Sequence, residues 1–248
     1  MDTLQQYLQE NNIKALIFDL DGVVTQTARV HAQAWKRMFD AYLQKRGEEE
    51  GKHYEPLDIE TDYREYIDGI PRYDGVRNFL ESRGITLPEG SPEDETGHET
   101  VSSLGNLKNM YFQELLKQEG VDVYDDTIGW LQREKQKGMR TAVISASKNC
   151  VDVLHAAGIE QLFEEHVDGL QSSELGLKGK PAPDIFLEAA RRLGIVPAET
   201  AVFEDARKGV QAGKAGGFGL VVGIDRTHDE AGLKASGADL VFQKFPSI

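Results

Sequence analysis

Two carboxylates stand one residue apart, Asp19 and Asp21, straight after the apolar run Ala15-Leu16-Ile17-Phe18 and just before Gly22. Such a run reads as a short strand buried on both faces, so both acids leave its carboxyl end. At ~4 Å and an effective dielectric of ~20, two such charges repel by about 4 kcal/mol. A hard divalent cation held by oxygen ligands would offset that. Two acids capping a solvated turn would need no offset, and the residues alone leave both readings open. A second acidic pair, Glu204-Asp205, follows Ala201-Val202-Phe203 in the same way. Ser145-Ala146-Ser147-Lys148-Asn149 follows Ala142-Val143-Ile144 at an expected helix start. A hydroxyl with backbone N–H groups there can cradle a phosphate or oxyanion, or simply cap the helix. Lys180, inside Gly179-Lys180-Pro181-Ala182-Pro183-Asp184, precedes a proline that holds its backbone extended. It is either a solvated lysine or the cation that four converging acids require.

The elements needed to bring these groups together are visible in the periodicity. Strands are expected over 13–18, 140–144, around 166–167, and over 201–203, 218–224 and 240–242. Helices are expected over 3–9, 27–45, 126–137, 148–157, 182–193, 207–215 and 229–236. Alternating strands and helices imply crossover connections and a parallel sheet. Ligands of such sheets bind outside the carboxyl ends of the strands, where the polar groups above are delivered. Between 27 and 120 the periodicity is helical only, over 59–68, 73–82 and 104–117, with a charged loop at 47–54 and a surface excursion at 88–100. The fold class is therefore α/β, a doubly wound, Rossmann-like parallel-sheet core formed by 1–27 and 121–248, with a helical cap domain, 28–120, inserted after the first strand. Thr27, His31 and Trp35 recur at helical spacing and share one face, either a core-facing stripe or a polar edge on a cleft. Gly213-Lys214-Ala215-Gly216-Gly217-Phe218-Gly219 is no dinucleotide fingerprint, because it follows a helix and precedes a strand.

With 28 Lys and Arg against 42 Asp and Glu, the net charge of -14 argues against nucleic-acid and anionic-membrane partners. A few placed cations still suffice for a small anion. Cys150 is the only cysteine, which rules out an internal disulfide, suits a reducing compartment and reads as a structural thiol. Neither an apolar leader nor an 18-residue apolar span is present. A cytoplasmic, monomeric protein is expected.

In their order, Asp19-Leu20-Asp21-Gly22-Val23-Val24, Ser145, Lys180 and Glu204-Asp205 resemble the four motifs of the haloacid dehalogenase superfamily. Within it, Ser145 to Asn149, Gly179 to Asp184, and Thr27 with His31, Ala34 and Trp35 are similar to the β-phosphoglucomutases and their sugar-phosphatase relatives. Gly69-Ile70-Pro71-Arg72 and Lys108-Asn109 also fit that group's cap. The resemblance implies Asp19 as nucleophile and Asp21 as general acid/base. It implies Ser145 and Lys180 as holders of the phosphoryl group, with Ala146 and Asn149 in the same binding set. Mg²⁺ would be bound by Asp19, the Asp21 backbone carbonyl and Asp205, with Glu204 beside or among the ligands. Thr27 and His31 would tune closure of Asp21, and Arg72 and Lys108 would hold the phosphate that is not reacting. The partner implied is a small phosphorylated sugar. The reaction implied is conversion of β-glucose 1-phosphate to glucose 6-phosphate through an aspartyl-phosphate; a sugar-phosphate phosphatase and a non-catalytic phosphosugar-binding module are the alternatives. Gln26, where the group often has Asp, and Pro71, where the mutase has a small polar residue, depart from the pattern, as do the longer loops at 47–54 and 88–100.

Overall fold

In a computed structural model that describes residues 3–246, the chain runs through α1 (Thr3–Glu10), β1 (Ala15–Asp19), α2 (Thr27–Glu50), α3 (Asp62–Tyr66), α4 (Arg72–Ser82) and α5 (Val101–Glu119). It continues through α6 (Asp125–Gln136), β2 (Arg140–Ile144), α7 (Cys150–Ala157), β3 (Glu165–Val167), α8 (Gly169–Glu174) and α9 (Asp184–Leu193). The last elements are β4 (Thr200–Glu204), α10 (Arg207–Ala215), β5 (Leu220–Ile224), α11 (Glu230–Ala235) and β6 (Leu240–Phe242). Contacts divide it into two units, one made of the residues up to Gln26 and those from Val121 onward, the other of Thr27–Gly120. Thr27 is the first residue of α2 and goes with the helical unit.

The first unit holds a six-stranded sheet in the order β3-β2-β1-β4-β5-β6, parallel throughout. Its central strands β1, β4 and β5 are buried along their whole length, which is why they read as continuous apolar runs rather than alternations. One face of the sheet packs Ile17, Ile144, Val202 and Val221 against Phe186, Ala189 and Leu193 of α9 and Val210 of α10. The other face carries an aromatic cluster in which Phe18 and Phe203 stack at 4.7 Å and Trp130 and Phe245 close over them. Register decides the chemistry. Asp19 lies level with Ile144 across β2, and Phe18 with Phe203 across β4, so Asp19, Ser145 and Glu204 emerge side by side.

The two places where the chain passes between the units are adjacent. Gln26 N–H donates to Asp122 O at 2.8 Å, Tyr124 N–H donates to Val24 O at 3.0 Å, and Thr25 bridges Val123 in antiparallel fashion. The helical unit has its own core of Trp35, Met38, Phe39, Val76, Phe79, Leu80 and Leu104, drawn from α2, α4 and α5. Among the described residues no helix is long and apolar enough to cross a membrane.

Several boundaries differ from the pattern-based expectation. Helix α2 continues to Glu50, through Gly47, instead of ending near 45; Lys52 N–H closes on Gly47 O at 3.0 Å, and a β-carbon at 47 would press on the Lys52 carbonyl. Helix α5 starts at Val101 because the Thr100 hydroxyl caps it, accepting from Ser103 N–H at 3.0 Å. Helix α7 starts at Cys150 rather than 148, since the amides of Ser147 and Asn149 are engaged by the hydroxyls of Ser145 and Ser147. The short α8 has no buried residue and hence no periodic signal; Asp168 caps it through Leu170 and Gln171 N–H.

Candidate active site

At the carboxyl end of β1 the carboxylate of Asp19 is almost fully buried. One of its oxygens receives the Lys180 ammonium at 2.6 Å and the other accepts the Asp21 N–H at 3.1 Å. Lys180 also donates to Glu204, whose second oxygen accepts Ala206 N–H at 2.9 Å. The lysine is no solvated surface group: its side chain is 2% exposed and its ammonium lies 5.3 Å from the centroid of the Phe186 ring. Its bond to Pro181 is cis.

Burial pushes the Asp19 carboxyl well above its ordinary value; Lys180 pulls the other way, and the neighbouring Glu204 and Asp21 add to the rise. Lys180 is opposed by its own burial, yet the two carboxylates beside it carry its pKa upward and keep it charged. One ammonium among these acids leaves negative charge in excess. Oxygens of Asp19, Glu204 and Asp205 lie within 4.8 Å of one another, hard donors in a cluster that fits a hard divalent cation. Two glycines make room for this crowding. Gly22 has φ +89°, and a β-carbon there would collide with the Asp205 carboxylate; at Gly209, on α10, one would collide with that of Glu204. Neither glycine is singled out by pattern, since their significance lies in contacts made only after β1 and β4 pair. Phe186 and the Ala206 amide were equally invisible for the same reason.

The loop after β2 completes this edge. The Ser145 hydroxyl donates to Asp21 at 2.9 Å and accepts Ser147 N–H at 3.0 Å, so the serine is tied to the second acid and to its own loop. Ala146 is half-buried beside it and Asn149 is buried at the start of α7, where its side chain makes no capping bond. Asp19, Asp21, Ser145, Lys180, Glu204 and Asp205 thus belong to one constellation on one sheet edge. Four acids, a buried ammonium and a hydroxyl there can hold a metal ion and a phosphoryl group, and can supply both a nucleophilic carboxylate and a proton carrier.

The other sequence-derived candidates lie in the helical unit. Thr27, His31 and Trp35 are buried, so their shared face is an inward stripe. His31 stacks on Phe112 of α5, with ring centroids 3.9 Å apart, and its Nδ1 faces the Lys108 ammonium at 2.5 Å. With the lysine as an ammonium, Nδ1 would be the acceptor and the ring proton would sit on Nε2. Lys108 also lies 5.2 Å from the Trp35 ring centroid. Arg72 opens α4; its guanidinium donates to Gly105 O at 3.3 Å, and burial lowers its pKa. Among the described residues no carboxylate pairs with it.

A family profile described as haloacid dehalogenase-like hydrolase matches residues 13–217, most of the chain. The chain belongs to that family. It is 48% identical over 232 residues to a β-phosphoglucomutase of Mycobacterium bovis, covering 92% of this chain and 88% of that protein. Over 235 residues it is 32% identical to a β-phosphoglucomutase of Bacillus subtilis, covering 94% and 90% respectively. The crystal structure of a β-phosphoglucomutase from Clostridium difficile aligns with a TM-score of 0.71 at 27% identity, covering 94% of this chain and 91% of that one. The haloacid dehalogenase resemblance and the α/β core with its parallel sheet are both borne out, and the protein is an enzyme of the phosphotransferase and phosphatase kind.

Proposed function

We propose that this enzyme interconverts β-glucose 1-phosphate and glucose 6-phosphate, passing the phosphoryl group through Asp19. The similarity to the two β-phosphoglucomutases supports the substrate class. The observation that carries the choice of transfer over hydrolysis is Arg72, a half-buried guanidinium without a carboxylate partner among the described residues. A cation so placed is costly unless an anion meets it. A mutase working through a sugar bisphosphate always has an idle phosphate to hold, and a guanidinium can take it through two parallel hydrogen bonds.

In this scheme an oxygen of Asp19 attacks phosphorus in line, the bond from phosphorus to the leaving oxygen breaks, and Asp21 gives that oxygen its proton. In the second half an acceptor hydroxyl attacks the aspartyl-phosphate while Asp21 takes up its proton, and Asp19 is released as carboxylate. Lys180 and Ser145 orient the phosphoryl oxygens. Mg²⁺ held by Asp19, the Asp21 carbonyl and Asp205, with Glu204 beside them, would neutralise charge on the phosphoryl group. Ala146 and Asn149 belong to the phosphate loop. Thr27 and His31 would tune closure of Asp21, and Lys108 would assist Arg72 in holding the idle phosphate. The reading places the enzyme in the cytoplasm, acting as a monomer.

The test supplies β-glucose 1-phosphate with Mg²⁺ and a trace of the 1,6-bisphosphate and measures glucose 6-phosphate beside free phosphate. Glucose 6-phosphate in large excess is expected. Stoichiometric phosphate release would make water the acceptor and the enzyme a sugar phosphatase.

A further inference from the structure

The segment 88–100 reads as a surface excursion, yet it is stitched to the first turns of α5. Val101 N–H donates to Pro88 O at 2.9 Å and Ser102 N–H to Glu89 O at 3.0 Å. The Ser103 hydroxyl donates to Glu95 O at 2.7 Å and accepts His98 N–H at 3.1 Å. The Thr100 hydroxyl donates to the Asp94 carboxylate at 2.7 Å, closing the segment on itself. Gly90, at φ +72°, lets the chain pass so close that a β-carbon would strike both of those side chains.

The tie with a consequence is Asn106. Its amide donates to Pro92 O and Asp94 O, both at 3.0 Å. With both protons committed to backbone carbonyls, its oxygen must point away from the segment, and it accepts the Tyr73 hydroxyl at 3.0 Å. The Tyr73 ring lies against Gly105, where any β-carbon would collide with it. The same glycine offers its carbonyl to Arg72, whose guanidinium is 5.7 Å from the Tyr73 ring centroid. A continuous chain of contacts thus runs from the backbone at 92–94 through Asn106 and Tyr73 to the guanidinium.

We propose that segment 88–100 is a specificity element which, through Asn106 and Tyr73, fixes the guanidinium of Arg72 and so sets how tightly the second phosphate of the substrate is held. This rests on the assignment of Arg72 to that phosphate. A long arginine side chain loses rotamer freedom when it grips an anion, and holding it in place beforehand removes part of that cost from binding. Asn106 and Tyr73 are positioning residues, because they act through Arg72 and carry no charge to offer the substrate.

The experiment compares Tyr73→Phe, Asn106→Ala and Asp94→Ala, each alone and in an Arg72→Ala background, on β-glucose 1-phosphate with bisphosphate and on acetyl phosphate hydrolysis. Tyr73→Phe keeps the ring and removes the link to Asn106. It and Asn106→Ala are expected to raise KM for the sugar phosphate about fivefold to tenfold with kcat within twofold, and Asp94→Ala to raise it by less. Acetyl phosphate hydrolysis should be unchanged by these three. In the Arg72→Ala background the Tyr73→Phe effect should vanish, since the residue it acts through is gone. An effect that persists in full there, or a kcat loss shared by both substrates, overturns the proposal. If Arg72→Ala raises KM but Tyr73→Phe and Asn106→Ala do not, only this proposal falls. If Arg72→Ala itself leaves KM unchanged, the phosphate assignment falls with it.

Discussion

In the sheet unit four carboxylates gather at the ends of β1 and β4 around Lys180, whereas in the helical unit the guanidinium of Arg72 is half-buried without a carboxylate partner among the described residues. Each region is electrostatically incomplete, and in opposite senses. The first calls for a cation with oxygen affinity, the second for an anion. Under the proposed function, a phosphorylated substrate with a divalent metal would meet both demands.

The largest blow to this pairing of opposites is Asp19→Asn. Turnover should drop by about 10⁴-fold or more, with the far-ultraviolet circular dichroism unchanged, because the amide is isosteric but no nucleophile. Retention of near-normal rate would place the nucleophile elsewhere. Chelation comes next: excess chelator should reduce activity to background, Mg²⁺ should restore it, and Asp205→Asn should shift the Mg²⁺ requirement upward. Undiminished activity in chelator would remove the metal from the acidic cluster. Arg72→Ala tests the other region. It should cut kcat/KM for sugar phosphate by about 10- to 100-fold, the worth of a charge-assisted contact, and depress acetyl phosphate hydrolysis far less. Equal losses would return the enzyme to the phosphatases.

Two smaller effects sharpen the contrast between acids with and without enough cationic company. Asp19 has its pKa raised from the ordinary 3.8, so from there upward the unfolded chain sheds its proton first. The folded state then binds more protons, and stability of the metal-free protein should fall as pH rises through the window above 3.8. Melting curves of wild type and Asp19→Asn in chelator should diverge over that window, and parallel curves would deny the crowding. Glu188 is the converse. Hydrogen bonds from Arg191, then Arg192, hold its pKa down to about 2 from an ordinary 4.5. Its contribution is complete above 4.5 and lost as pH falls toward 2. As a surface cluster it is worth under about 1 kcal/mol. Glu188→Gln should lower the melting temperature slightly at pH 7 and by less near pH 2.

The acids and Ser145 were legible because each follows an apolar run too short for a helix, and parallel pairing aligns the ends of such runs. That these acids need a cation also followed from their types; that Lys180 is buried did not, since a Gly-Lys-Pro stretch looks the same in solvent. Arg72 was a candidate by resemblance only. Its lack of a counter-charge depends on Gly105, 33 residues away in the chain, leaving space for Tyr73 and presenting a carbonyl. Gly47 looked like a helix end because glycine usually is one, and here the return of the chain at Lys52 outweighs that preference. The order within 88–100 comes from backbone and hydroxyl hydrogen bonds, which leave no hydrophobic period to detect.

The adjacent crossings at Gln26–Asp122 and Val24–Tyr124 bear on how the protein reaches its native state. Strand β1 must find β2 and β4 across the whole intervening segment, and closing a long flexible loop delays that search. The helical segment has its own core, and its two ends finish a single hydrogen bond apart. Once that segment has collapsed, it joins β1 to α6 as a tight turn would, and the entropic distance between the sheet's partners shrinks to almost nothing. The order of assembly expected from these contacts is insert first and sheet second, although the sheet's opening strand leaves the ribosome before any of it.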